Sequence, residues 1–426
     1  MGGHSALTLR SNDPARRVVI TGMGVFSPVG NEPETAWRNL IEGVSGIAEI
    51  TRFDSSPYEH HAAGEVRGFD PAEWMNFKVA RRTDRVVQLG VAAAKQALRH
   101  AGLEITDENA CDVAVMFGTG GGGQEVLTQN FDTWRTRGPR AVSPFWIPNA
   151  TADAAAGMIS VETGARGLNI GPSSACGTGT VVIGEAAALI RRGDCSTVIA
   201  GGAENCILEF SHIGFEQMRA LGSPRPGESI ASVSRPFDRS RDGFVLSEGA
   251  AAVILEDLDT ARERGARIYG EVVGYGATAD AFDQVVPAPG GEGSARAMQI
   301  AVARAGIEPE QIDTINAHGT STVLGDQREA EAIWSVFGPH TRDVLVTSTK
   351  SMTGHMMSAG GTLEAIATAF SLQTGIVPGT INYRDADPDC NLNIVAETRQ
   401  APMLYGLSNS VGLGGRNSAI VLKRFE

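Results

Sequence analysis

Three stretches of the 426-residue chain carry side chains that could do covalent chemistry. The first is Gly171 to Thr180, GPSSACGTGT, where small residues surround one cysteine and a helical run, VVIGEAAALIRR, follows at once. That order puts Cys176 at a helix N-terminus, where unpaired N–H groups and the helix dipole favour a thiolate. Small neighbours let a bulky thioester approach, and a backbone N–H in such a turn can hold an oxyanion. A buried structural cysteine is the plainer reading of any lone cysteine. Cys111, Cys195, Cys206 and Cys390 lack a comparable setting and are read that way. The second stretch is Asn316 to Thr322, NAHGTST, with His318 where an apolar strand ends in a Gly-Thr turn. Strand ends are where sites collect in α/β proteins. The third is Lys350 to Ser358, KSMTGHMMS, in which strand Leu345 to Thr349 leads to Lys350, and His355 precedes a helix running to about Gln373. Each histidine alone reads as structural. Together with Cys176 they form a chemical set: a thiol that takes an acyl group, and two imidazoles that stabilise the enolate left when a malonyl thioester loses CO2. Metal binding is a second reading, weakened by spacing unlike that of zinc sites. A Cys-His hydrolase needs one histidine plus an orienting carboxylate or amide.

These turns need a scaffold of alternating strands and helices. Val18 to Thr21 reads as a strand, Arg85 to His100 as a helix stopped at Ala101-Gly102, and Asp112 to Phe117 as a buried strand closed by Gly118. Thr180 to Arg192 is helical; Thr197 to Ala200 and Ala251 to Leu255 are strands. The alternation predicts an α/β protein of layered sheets and helices. A faint repeat runs through it. A helix ending in Ala101-Gly102-Leu103 precedes strand 112–117, and a helix ending in Ala305-Gly306-Ile307 precedes strand Thr314 to Ala317. Duplication of one α/β unit explains the repeat, with the join near Leu258 to Tyr269, before a strand at Gly270 to Gly274. The expected division is a leader over 1–15, a first lobe over 16–264 with the cysteine, and a second over 265–426 with the histidines.

The bulk composition excludes several classes. Hydrophobic residues make up 42% and charged residues 20%, ordinary for a globular protein. The formal charge of -13 and a pI near 5.2 disfavour a nucleic-acid partner. An acidic partner must meet a local basic patch. Five scattered cysteines without CxxC pairs fit reduced thiols. No apolar stretch reaches membrane-spanning length, and residues 1–15 lack the apolar core of a signal peptide, so a cytoplasmic protein is expected.

At these residues the chain resembles the β-ketoacyl-acyl-carrier-protein synthases, specifically the type II, elongating members of the thiolase-like superfamily. The resemblance runs from about Arg17 to Lys423 and includes VITGMGVFSPVGN, the Cys176 segment, RPFDRSRDGFVLSEGAA (235–251), NAHGTST, KSMTGHMMSAGG and SNSVGLGGRNSAIVL (408–422). It implies a five-layer αβαβα thiolase-like fold of two duplicated lobes. It implies Cys176 as nucleophile, His318 and His355 as enolate-stabilising histidines, Lys350 as an electrostatic support, and Glu329 as its carboxylate companion. The backbone N–H groups of Cys176 and Leu413 correspond to an oxyanion hole, and Thr320 and Thr322 to the pantetheine tunnel. Asn316, Glu364, Ser408 and Asn409 match a buried monovalent-cation (K+ or Na+) site of relatives; turn hydrogen bonding explains the same residue types equally well. No other cofactor is implied, since the substrate rides on the phosphopantetheine of acyl carrier protein. Lys78, Arg81 and Arg82, on one face at helical spacing, and Arg219 match the carrier-docking patch; a solvated basic face is the plainer reading of such a run. Family members are homodimers.

The chain departs from the pattern at four places. Val411 and Leu413 stand where phenylalanines are usual, so gating near the acyl-cysteine is looser. Arg416 replaces a small polar residue, and Asp283 a histidine. Gly121 replaces a bulkier residue that limits the acyl pocket, so long or unusual acyl chains are expected to fit. These departures keep open a ketosynthase of a discrete type II polyketide or polyene pathway. A non-catalytic chain-length subunit is disfavoured because such subunits lose the nucleophile. A biosynthetic thiolase is disfavoured because no second cysteine lies in a matching turn.

Overall fold

The computed structural model describes residues 13 and 15–426, so the expected leader over 1–15 lies outside the described residues except for Asp13 and Ala15. Ten strands form one continuous sheet: β1 (Val18–Phe26), β2 (Val113–Gly118), β3 (Asn169–Ile170), β4 (Thr197–Glu204), β5 (Gly249–Asp257), β6 (Gly270–Ala279), β7 (Thr314–Asn316), β8 (Leu345–Thr347), β9 (Tyr405–Gly412) and β10 (Arg416–Lys423). Their spatial order is β8-β7-β9-β10-β6-β1-β5-β4-β2-β3. The join between β6 and β1 is short, with Val19 opposite Glu271 and Ile20 opposite Gly270. On either side of it lie five strands. Within each set, numbered along the chain, the order in space is first, fifth, fourth, second, third. The first, fifth and fourth strands pair antiparallel, and the fourth, second and third pair parallel, in both sets. The faint repeat in the sequence is therefore a repeat of whole topology.

The helices that matter are α1 (Arg85–Ala101), α2 (Gln124–Arg137), α3 (Ala154–Thr163), α4 (Thr178–Arg192), α5 (Glu292–Ala305), α6 (Val323–Phe337) and α7 (Gly360–Thr374). The pleat sorts side chains between layers. In β2, Val113, Val115 and Phe117 face the core shared with α1 and α3, while Ala114 and Met116 face the core shared with α4. In β10, Ala419 and Val421 face α5 and α6, while Ile420 and Leu422 join the central core. Helices α4 and α7 touch strands of both halves and each other. The result is five layers: α1 and α3, sheet, α4 and α7, sheet, α5 and α6. Strands buried on both faces read as continuous apolar runs, which is why 112–117 was legible as a strand.

Some boundaries differ from the sequence expectation. The strand at 345–349 stops at Thr347, and Lys350 opens a short helix, Lys350–Thr353. Helix α7 begins at Gly360 rather than directly after His355. The basic run at 78–82 is not one helix. Helix Phe77–Ala80 ends because Asp84, extended at ψ 151°, caps α1 through the Val86 N–H. Arg81 and Arg82 lie past that end, yet they and Lys78 are exposed. Two connections differ sharply: residues 205–248 join β4 to β5, whereas 413–415 alone join β9 to β10. The long connection includes helix Glu209–Gln217 and lays Leu246 beside His355 in a parallel bridge.

Candidate active site

A cavity of about 350 Å³ opens where the two halves meet, and Cys176, Phe244, His318, His355, Met357 and Leu413 line it. Cys176 sits on the turn between β3 and α4. Ala175 is held in the left-handed region at φ 48°, unusual for a residue with a side chain. The turn is closed by the Thr178 hydroxyl, which accepts from Ser174 N–H at 2.8 Å and donates to the Ala175 carbonyl at 2.7 Å. The sulfur is buried, 3.7 Å from Met357 Sδ. Burial pushes the thiol up to about 11, against the pull of the Leu413 N–H, the charge of Lys350 and its own N–H. The two backbone donors expected to hold an oxyanion, Cys176 and Leu413, thus both act on the sulfur.

Leu413 is at the tip of the β9–β10 hairpin. Gly414 and Gly415 follow it at φ 82° and 68°, which a side chain rarely adopts. A Cβ on Gly412 would come within 2.8 Å of the Ser174 carbonyl and 3.3 Å of Cys176 N, so only glycine lets the hairpin lie against the cysteine turn. Arg416 donates to the Leu413 carbonyl at 3.1 Å. Val411 also lines the cavity.

His318 lies just past β7. Its N–H and that of Gly319 donate to the Glu329 carboxyl of α6 at 2.6 and 2.7 Å, and Asn409 Nδ2 donates to the same group at 2.7 Å. Lys350 Nζ lies 3.4 Å from His318 Nδ1. A lysine ammonium has only donors, so Nδ1 is the acceptor and the ring proton is on Nε2. Lys350 is buried and salt-bridged to Glu364 of α7. This corrects the expectation that Glu329 is the companion of Lys350. Glu329 instead anchors the backbone of the His318 turn, and Glu364 meets the lysine. Burial pushes Glu329 up to about 7 and raises Glu364.

His355 is fixed by its backbone: its N–H donates to Val245 at 2.7 Å and its carbonyl accepts from Ser247 at 3.1 Å. Its ring stands edge-on to His318, centroids 5.3 Å apart, and to Phe244 at 5.4 Å. Nδ1 of His355 has no partner among the described residues. Burial and the charge of Lys350 hold both imidazoles well below the ordinary 6.5, so they are neutral N–H donors.

Thr320 and Thr322 line the cavity with hydroxyls 3.0 Å apart, and Arg219 is on its rim. Gly121 is not among the lining residues. The Gln124 amide lies 2.1 Å from where a Cβ of residue 121 would stand, so a neighbour fills the space that the glycine was expected to leave open. Arg81 and Arg82 lie over the rings of Phe77 and Phe145, at 5.7 and 4.7 Å. No local sequence signal marks Met357 against the thiol or Phe244 against His355; both come from tertiary packing.

Among the described residues, the buried oxygens without a protein partner include Asn316 Oδ1, Glu364 Oε2, Ser408 Oγ and Asn409 Oδ1. Asn316 faces Ser408 in register across β7 and β9, and its Nδ2 is 3.5 Å from the Glu364 carbonyl. Unpaired buried oxygens call for a ligand. Oxygen ligands of this kind suit a hard cation. Among the described residues no group of three or more His, Cys, Asp or Glu side chains could hold a metal ion.

Comparison with known proteins places this geometry. Two family models match, Beta-ketoacyl synthase, N-terminal domain over residues 15–261, and Beta-ketoacyl synthase, C-terminal domain over 269–384. The chain is 45% identical over 412 residues to 3-oxoacyl-[acyl-carrier-protein] synthase 2 of Staphylococcus aureus (strain N315), covering 96% of this chain and 99% of the relative. It is 45% identical over 410 residues to the protein of the same name from Coxiella burnetii, with the same coverage. Among solved structures, the ishigamide ketosynthase/chain length factor superposes with a TM-score of 0.89 at 33% identity, over 96% of this chain and 100% of that one. A type II polyketide ketosynthase, solved bound to the hexaketide and in complex with its acyl-carrier protein, superposes at 0.88 with 29% identity and the same coverage.

Proposed function

The chain belongs to the β-ketoacyl synthase family, and from that premise we propose that Cys176, His318 and His355 divide one reaction between the two halves. The enzyme is an acyltransferase. It condenses an acyl group with malonyl-acyl-carrier protein, with loss of CO2, giving β-ketoacyl-acyl-carrier protein in fatty-acid elongation. The observation that carries the assignment of roles is the single cavity into which all three side chains project.

In the first half-reaction, Cys176 sulfur attacks the thioester carbonyl of the acyl carrier. The N–H groups of Cys176 and Leu413 hold the oxyanion, the carrier's C–S bond breaks, and the pantetheine thiol leaves with the proton Cys176 gives up. In the second, the bond between the malonyl carboxylate and its α-carbon breaks and its electron pair becomes an enolate. His318 Nε2–H, held in that tautomer by Lys350, and an N–H of His355 receive the enolate oxygen. The α-carbon attacks the acyl-cysteine, and collapse of the oxyanion expels Cys176 sulfur. Thr320 and Thr322 line the pantetheine path. Asn316, Glu364, Ser408 and Asn409 would hold K+ or Na+ through their unpaired oxygens, and the ion would stiffen the Lys350 neighbourhood.

The carrier protein docks on Lys78, Arg81, Arg82 and Arg219, basic groups on an acidic chain. The protein is a cytoplasmic homodimer; among the described residues no helix is long and apolar enough to cross a membrane. A face of exposed apolar residues, Leu127, Phe131 and Trp134 on α2, together with the exposed edge strand β3, supports the dimer. Lobes 16–264 and 265–426 meet in the turn between helix Leu258–Glu263 and β6. A second reading, a ketosynthase of a discrete type II polyketide or polyene pathway, uses the same steps and is favoured by Val411 and Leu413 on the cavity wall.

Intact-mass spectrometry tests the assignment. Cys176→Ala should take no acyl group from acyl carrier protein and should make no β-ketoacyl product while keeping the wild-type melting temperature. Product formation by that variant would overturn it. A panel of carrier-bound chains, followed by product analysis, separates fatty-acid from polyketide use.

A further inference from the structure

Glu204 closes β4 beneath the cysteine turn, and none of the steps above uses it. The carboxyl is buried, and among the described residues no Lys, Arg or His forms an ion pair with it. Its Oε2 accepts the Gly120 N–H at 2.9 Å and its Oε1 the Gly121 N–H at 3.2 Å. Two routes lead from it to the nucleophile. Gly120 packs between the carboxyl and the Ala175 carbonyl, one residue before Cys176. Ser358 touches the carboxyl and follows Met357, whose sulfur meets Cys176.

The protons around Ser358 are informative. Its hydroxyl oxygen lies 2.6 Å from the Ala203 carbonyl and 2.7 Å from Glu204 Oε2. A carbonyl only accepts, and an ionised carboxylate only accepts, but a serine hydroxyl has one proton. With Glu204 ionised, one of these contacts is two oxygens facing each other with no hydrogen between them. With Glu204 protonated, Oε2–H donates to Ser358 Oγ and Ser358 donates to Ala203, and both contacts are hydrogen bonds. We propose that Glu204 is kept as the neutral acid and is a positioning residue for Cys176, holding the glycine loop and the Met357–Ser358 turn against the thiol without placing a negative charge beside it. Burial without a cation favours the proton; the Ser358 hydroxyl and the N–H groups of Gly120, Gly121 and Ser358 work the other way, and burial prevails. The charged or titratable groups that face this region are Cys176, Cys206 and Lys350; ionised Glu204 would oppose both thiolates.

The inference rests on Cys176 being the acylated thiol, which the intact-mass experiment tests by itself. The direct test is the pH profile of Cys176 alkylation by iodoacetamide, followed by peptide mass mapping, in wild type and Glu204→Gln. The introduced glutamine would mimic the neutral acid: its amide donates to Ser358 and its carbonyl accepts from the loop. At pH 7 the two proteins should alkylate within about twofold of each other. Above that, the two profiles should rise together with the thiol's own titration. Tenfold faster alkylation of Glu204→Gln at pH 7, with its profile moved to lower pH throughout, would mean an ionised Glu204 and overturn the proposal. Failure of Glu204→Gln to fold would mean that the position requires a carboxylate rather than its neutral mimic, and would likewise overturn the proposal.

Discussion

The turn after the third strand of the first half, residues 171–177, and the turn after the third strand of the second, residues 348–359, occupy the same place in a repeated topology. Each feeds a helix of the central layer, α4 or α7. The first delivers a thiol close to a helix N-terminus; the second delivers Lys350 and His355. The loops after the second strands differ in the same way. Residues 118–123 are almost all glycine and offer N–H groups to Glu204, whereas 317–322 offer His318 and two threonines. One half is arranged around a nucleophile and small residues that leave it room, the other around imidazoles and the charges that orient them. A duplicated scaffold supplies two equivalent positions facing one cavity, and under the proposed roles one carries the thiol that holds the acyl group and the other the imidazoles that serve decarboxylation.

The sharpest way to break this division is to remove one side of it. His318→Ala and His355→Ala should each lower malonyl decarboxylation by about 10²–10³, the range seen when one transition-state donor is lost. Acylation of Cys176, followed by mass, should fall by less than about tenfold. Equal losses in both half-reactions would show that the halves are not separable.

Lys350→Ala comes next. It frees His318 to hold its proton on either nitrogen and leaves Glu364 as an unpaired buried charge. Decarboxylation should fall by about 10–100-fold, and chemical denaturation should show a loss of roughly 3–5 kcal/mol, the penalty for stripping one partner from a buried pair. Lys350→Met with unchanged decarboxylation would remove the tautomer argument.

The pH dependence should separate the halves without mutation. Both histidines titrate below the ordinary 6.5 because burial and Lys350 oppose their charge. Falling pH therefore protonates them only after free imidazole has been protonated, and decarboxylation by the acylated enzyme should be flat from pH 8 to pH 6.5. The thiol, pushed up to about 11, should gain thiolate tenfold per pH unit across the same range. Alkylation of Cys176 should rise accordingly, and a decarboxylation rate that rose in parallel would place a thiolate in both steps. The smallest effect belongs to the surface. Reversing Arg81 and Arg82 to Glu should raise KM for acyl carrier protein by about tenfold with kcat unchanged, as expected of charges that steer a partner. An unchanged KM would leave these arginines as a solvated face.

Much of this was legible in the sequence because the reactive residues lie on turns whose glycines and small side chains mark them. The scaffold was legible where strands are buried on both faces, as at 113–118. What could not be read depends on contacts between distant segments. Lys350 reaches Glu364 rather than Glu329 because α7 packs beneath it, and nothing in either local sequence records that choice. The space at Gly121 is filled by Gln124, a side chain three residues on whose direction only the folded loop decides. The helix expected to align Lys78, Arg81 and Arg82 ends early because Asp84 caps the next one. The matching sheet edges are another case. In the second half β8 is buried and bridged at Val346 by Ile394, while in the first half β3 is exposed. The sequence pattern marks β8 but not the two-residue β3, and says nothing about which edge is covered.

The closeness of Gly412 to the cysteine turn also bears on how such enzymes diversify. Any single substitution there drives a methyl or larger group into Ser174 and the backbone of Cys176, so that position is closed to mutational exploration. Its neighbours Val411 and Leu413 lie on either side with side chains on the cavity wall. Variation in what the cavity accepts is thereby channelled into two positions that flank an immovable one, and both are among the positions at which this chain departs from the pattern it resembles.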